Sequence, residues 1–166
     1  MPGASSSSCC SEQSIAPREV DFPYYTLQGG YQSMLNLVSD SPHPIDLSIV
    51  LYGALGHSAI APPYTIQPQQ KLALDMGQLL GKMGLNPEGE FSQGSIAVYF
   101  EGTIMPVVGQ VTIQNPAMRL VHEAEMVEND PGRSDIPAVL DGLWWGLGGG
   151  RDAVIEVANM SSGQVT

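Results

Sequence analysis

Apolar and polar residues follow two different rhythms along this chain, and the change between them sets its first boundary. Residues 1–21 are polar, Ser-rich and aperiodic. Such a stretch buries too little apolar surface to offset the entropy of ordering it, so it is expected to be a disordered tail. From Phe22 onward the pattern has period two, which lets every second side chain of a strand face a core. "YQSMLNLV" sets Met34 apart from Leu35 and Leu37, and "SDSPHP" then breaks the strand. "IDLSIVLYG" places Ile45, Leu47, Ile49 and Leu51 on one face, with Asp46, Ser48 and Val50 on the other. "ALGHSAIAPP" reads as a turn and short strand, and "YTIQPQQKLALDM" as a strand pair around Pro68 with Leu72 and Leu74 on one face.

Only one stretch has a helical period. In "MGQLLGKMGL", Met76, Leu79, Leu80 and Met83 share a face, while Gly77, Gly81 and Gly84 limit the helix to a short one. Strand patterns then return: Ile96, Val98 and Phe100 in "GSIAVYFEG", and Val107, Gly109, Val111 and Ile113 in "VVGQVTIQN". In "MRLVHEAEMVE", Leu120, His122, Ala124 and Met126 alternate with Val121, Glu123, Glu125 and Val127. Many short strands separated by turns, with one crossover helix, predict an all-β fold over residues 22–128. The expected form is an antiparallel two-sheet β-sandwich of Ig-like, Greek-key type.

Residues 129–142, "NDPGRSDIPAVLDG", are rich in turn formers and read as a linker. Beyond them the chain restates its beginning. With a shift of 120 residues, Leu27 falls on Leu147, Gly29 and Gly30 on Gly149 and Gly150, Leu35 on Ile155 and Leu37 on Val157. The aromatic pairs Tyr24-Tyr25 and Trp144-Trp145 flank the two copies. Residues 143–166 are therefore expected to be the start of a second, truncated module.

Composition narrows the classes of partner. Six Lys and Arg stand against seventeen Asp and Glu, a formal net charge of -11. A phosphate backbone is recognised by clustered cations, so nucleic acid is not expected as a partner, and an acidic surface is equally unsuited to anionic lipid. No apolar run approaches the roughly 18 residues of a membrane helix, so no membrane insertion is expected. The two cysteines, Cys9 and Cys10, are neighbours, which rules out an internal disulfide framework. "MPGASSSSCCSEQSIAPREV" lacks the basic start and apolar centre of a secretory signal.

An aromatic pair, Leu-x-Gly-Gly, a Leu-x-Leu strand, "TIQPQQKLALDM", "GSIAVYFEGTIMPVVGQVTIQNP" and "LWWGLGGGRDA" together resemble uncharacterised bacterial secreted proteins built from tandem β-sandwich modules. The resemblance covers about residues 22–166. It implies an extracellular or cell-surface location and a longer natural chain. It brings no catalytic residue with it, and the missing signal departs from the pattern.

Candidate chemistry is sparse. His43 and His57 lie in turns and His122 in a strand, where His122 and Glu123 point to opposite faces, so "HEAE" does not make the zinc motif of a helical protease. There is no Gly-x-Ser-x-Gly elbow around Ser95, and nothing singles out a glycosidase pair among Asp40, Asp46, Asp75 and Glu101. No enzyme activity is expected. Glu128, Asn129, Asp130 and Asp135 offer oxygen ligands of the kind calcium takes between tandem domains, and calcium is the one cofactor considered. Tyr24, Tyr25, Tyr31, Trp144 and Trp145 have the flat rings that stack on sugars. The expected function is that of a non-catalytic structural, adhesive or interaction module, with neighbouring modules or other proteins as partners. The alternative is a carbohydrate-binding module that uses the aromatics on a glycan, with a hydrolase third.

Overall fold

The computed structural model describes residues 17–101 and 105–128. They form two antiparallel sheets facing each other across one apolar core, with one short α-helix. The fold is the all-β sandwich that the alternation predicts.

The first sheet contains β1 (Pro17–Thr26), β3 (Ile45–Gly53), β4 (Ser58–Ile60), β5 (Tyr64–Ile66), β7 (Gln93–Glu101) and β10 (Val127–Glu128). Their order is β10-β1-β7-β3-β4, with β5 also paired to β3. The second sheet contains β2 (Gln32–Ser39), β6 (Lys71–Asp75), β8 (Val107–Asn115) and β9 (Leu120–Glu125), in the order β6-β2-β8-β9. The chain thus crosses repeatedly between sheets, and the helix α1 (Met76–Lys82) carries it from β6 to β7. Asp75 caps α1 by accepting from the Gln78 amide at 2.8 Å, and Met76, Leu79 and Leu80 close one end of the core.

Alternation explains the layers. Leu35 and Leu37 of β2, Leu47, Ile49 and Leu51 of β3, and Ile96, Val98 and Phe100 of β7 are all buried in one cluster. Each such side chain contributes about 1.5–3 kcal/mol by leaving water. Polar partners at the intervening positions face outward, as Asp46 and Ser48 do in β3.

Two glycines stand where no side chain fits. A Cβ at Gly109 would lie 2.4 Å from the Asn36 carbonyl oxygen and 2.7 Å from Leu37 Cδ2, and one at Gly94 would lie 1.8 Å from the Tyr52 carbonyl oxygen. Gly94 also pairs with Tyr25 beside an irregularity in β1, where the register with β7 slips between Phe22 and Tyr25. Pro23, which has no amide to give to a ladder, sits in that slip. The extra residue reverses the phase of the strand, so that Phe22 and then Tyr25 face the core, where simple alternation would have sent Tyr24 inward.

Three departures from the sequence reading follow. The first strand begins at Pro17 and not at Phe22, so the last residues assigned to the tail are paired with β7. Val20 and Asp21 are buried there. The segments on either side of Pro68 do not pair with each other: β5 joins β3 in one sheet and β6 joins β2 in the other. In β9 the alternation holds, yet of its residues only Ala124 is buried.

Candidate functional site

β9 is the last strand of the second sheet, paired to β8 on one side and to no described strand on the other. Leu120, His122 and Ala124 lie opposite Asn115, Ile113 and Val111, and so share the inner face of the sheet. Leu120 is nevertheless 49% exposed. Met118, in the turn before it, is 63% exposed, and Val121 on the outer face is 68% exposed. The turn itself is fixed. Buried Asn115 accepts from the Met118 amide at 3.2 Å and donates to the Gly29 carbonyl at 3.1 Å, tying it to the loop between β1 and β2.

Among the described residues this strand edge has no partner strand for its backbone donors and acceptors, which lie beside exposed apolar side chains, the arrangement that accepts an added strand. Its two faces differ. The inner face offers Leu120 and the neighbouring Met118. The outer face offers Val121, Glu123 and Glu125, with Glu123 held by the Gln110 side-chain amide at 2.9 Å. Only one residue, Met126, separates β9 from β10, where the chain leaves the second sheet and pairs with β1 in the first.

A second polar constellation lies on the outer face of the first sheet. Glu19 and Tyr99 are directly opposite in the β1–β7 ladder, and the Tyr99 hydroxyl donates to Glu19 Oε1 at 2.7 Å. Burial first, then hydrogen bonds with Tyr52 and Glu19, keep the Tyr99 hydroxyl protonated well above its ordinary range. Two residues along β1, Asp21 is 1% exposed, and neither of its carboxyl oxygens has a hydrogen-bond partner among the described residues. Burial, with Glu19 as the lesser cause, pushes the Asp21 carboxyl up to about 7. Nothing in the sequence singled out Asp21, since the stretch before Phe22 has the composition of a tail. The alternation of Val20 and Phe22 around it was the available signal.

Of the residues expected to form a site, Tyr24, Tyr25, Tyr31 and the backbone of Glu128 are described. Tyr25 is fully buried and its hydroxyl donates to the Phe91 carbonyl at 3.0 Å, which places it in the core and off any sugar-stacking surface. Tyr24 and Tyr31 are half-buried and pack against the core. Trp144 and Trp145 lie outside the described residues, as do Asn129, Asp130 and Asp135 of the calcium cluster. Glu128 is placed only by its backbone, in β10 opposite Val20. Among the described residues no three His, Cys, Asp or Glu side chains come together as a metal site, and no helix is long and apolar enough to cross a membrane. His57 pairs with Glu90 at 2.6 Å on the surface, and Asp46 accepts from Thr65 at 2.6 Å.

No protein-family profile matches this chain, and no curated protein matches it. Among solved structures it is similar to the crystal structure of Thermotoga maritima 1070, with a TM-score of 0.48 and 15% identity over 66% of this chain and 92% of that one.

Proposed function

We propose that this chain is a non-catalytic interaction module that takes an extended segment of another protein onto the free edge of β9. The observation that carries the reading is the exposure of Met118, Leu120 and Val121 on an edge strand with no described neighbour on its outer side. Natural edge strands are usually short, charged or covered, because an uncovered apolar edge pairs with other chains. An edge that keeps its apolar residues in water is suited to being filled.

The two faces of β9 define the chemistry of the added strand. Its side chains alternate, so one set meets Leu120 and Met118 while the other meets Glu123 and Glu125. The matching segment alternates apolar with basic residues. A second copy of this chain is a poor match, because its net charge of -11 is repelled by an equal one. Such strand-taking fits the adhesive and scaffolding work of an extracellular or cell-surface protein.

Fluorescence anisotropy with a labelled eight-residue peptide alternating valine and lysine tests this reading. The wild-type chain is expected to bind it more weakly as salt rises, and Glu123→Lys with Glu125→Lys to lose on the order of tenfold in affinity. Equal binding by wild type and the double variant would refute the β9 edge as the surface used.

A further inference from the structure

Among the described residues, Met118 is the methionine that stands open to water, at 63% exposure. Met76 is fully buried, and Met34, Met83, Met105 and Met126 are half-buried. A thioether so exposed meets dissolved oxidants that the others largely escape, because its sulfur can be approached without opening the fold. Its surroundings decide whether the encounter matters.

Those surroundings are firmly built. Met118 lies in the turn from β8 to β9, two residues before Leu120, which is 49% exposed on the inner face of the edge strand. The Met118 amide donates to Asn115 Oδ1 at 3.2 Å, Asn115 is itself 1% exposed, and its side-chain amide donates to the Gly29 carbonyl at 3.1 Å. The Arg119 amide closes the same turn on the Pro116 carbonyl at 3.3 Å. A backbone pinned in this way keeps the root of the methionine beside the strand edge, so a change of polarity at its sulfur is felt there. Met118 and Leu120 are also the apolar groups that β9 offers to one side of an added strand.

We propose, resting on the reading of β9 as a strand-docking edge, that Met118 is a redox switch for that edge: a peroxide converts its thioether to the sulfoxide, and the docked strand is released. The sulfur attacks one oxygen of hydrogen peroxide, a sulfur–oxygen bond forms as the oxygen–oxygen bond breaks, and the departing hydroxide takes the remaining proton to leave as water. Sulfur is oxidised and the peroxide reduced. The product puts a strong hydrogen-bond acceptor where an apolar chain end had been, and apolar side chains of an added strand would cover it without offering a donor. A dithiol, delivered by a methionine sulfoxide reductase, reverses the step: the sulfoxide oxygen leaves as water while the two thiols join in a disulfide.

The test treats the full chain with hydrogen peroxide, maps oxidation by peptide mass spectrometry, and measures affinity for the labelled valine–lysine octapeptide before and after. Met118 is expected to oxidise several-fold faster than Met34, Met76, Met83, Met105 and Met126. Affinity is expected to fall on the order of tenfold as Met118 is converted, and to recover with methionine sulfoxide reductase and dithiothreitol. Met118→Leu, compared with itself, keeps its affinity through the same treatment, and Met118→Gln binds more weakly than Met118→Leu with no peroxide added. Oxidation of Met118 no faster than that of the half-buried methionines, an affinity that survives its conversion, or an equal loss in Met118→Leu would overturn the switch. An untreated chain that does not bind the octapeptide removes the docking edge and the switch together, whereas equal binding by the untreated and oxidised chains removes the switch alone.

Discussion

Val127 stands directly opposite Asp21 in the β1–β10 ladder, next to a carboxyl that is only 1% exposed. A global consequence for stability follows. The folded protein binds the Asp21 proton more tightly than the unfolded chain, whose carboxyl titrates near 3.8, so the unfolded state is the first to lose it as pH rises. Stability contributed by the neutral form is complete below 3.8, falls by as much as about 1.4 kcal/mol per pH unit, and is lost by about 7. Urea unfolding at pH 5, 6, 7 and 8 is expected to show this slope in the wild type and to lose most of it in Asp21→Asn.

The core makes a prediction independent of charge. Leu47 and Ile49 of β3 are buried between the sheets. Truncation of either to Ala is expected to cost on the order of 2 to 5 kcal/mol in denaturant unfolding, from lost burial and the cavity left behind. A loss below about 0.5 kcal/mol at both would mean that the sheets do not meet there.

Gly109 tests the register of the second sheet. A methyl group there would press on the Asn36 carbonyl oxygen and on Leu37 Cδ2, with Phe22 Cζ at 3.3 Å beyond. Backbone cannot swing aside as a side chain does, so Gly109→Ala is expected to destabilise by about 1 to 3 kcal/mol. Thermal unfolding would show it, and an unchanged midpoint would argue against the pairing of Leu37 with Gly109.

The hydroxyl of Tyr25 offers a finer test. Its hydrogen bond to the Phe91 carbonyl joins β1 to the segment leading into β7. Tyr25→Phe leaves the ring in the core and orphans the carbonyl, at an expected cost of about 1 kcal/mol.

Period-two alternation made most of the fold legible. Leu35 and Leu37, Leu47, Ile49 and Leu51, and Ile96, Val98 and Phe100 all face inward as their spacing requires, and α1 is short, ending before Gly84, whose φ of 72° is left-handed, although Gly77 and Gly81 lie within it. What was hidden lies where a non-local fact decides. The slip at Pro23 depends on β7 and exchanges Tyr24 for Tyr25 as the core residue. β9 alternates like a core strand, but only Ala124 of its residues is buried, because cover depends on what packs against a strand and not on its own pattern. Asp21 was invisible for a related reason, since polar composition marks a tail only if no neighbouring strand captures it, and β7 captures residues from Pro17 onward. The sandwich could be read locally; the edge and the buried carboxyl could not.

The central claim, that β9 accepts an added strand, is tested most directly by NMR titration of the labelled chain with the alternating valine–lysine octapeptide, alongside a version N-methylated at every residue. Backbone pairing predicts that amide shifts concentrate in residues 118–123, that exchange of the β9 amides slows on binding, and that the N-methylated peptide does neither because it cannot complete the ladder. Equal shifts with both peptides, or shifts that avoid β9 altogether, would contradict it.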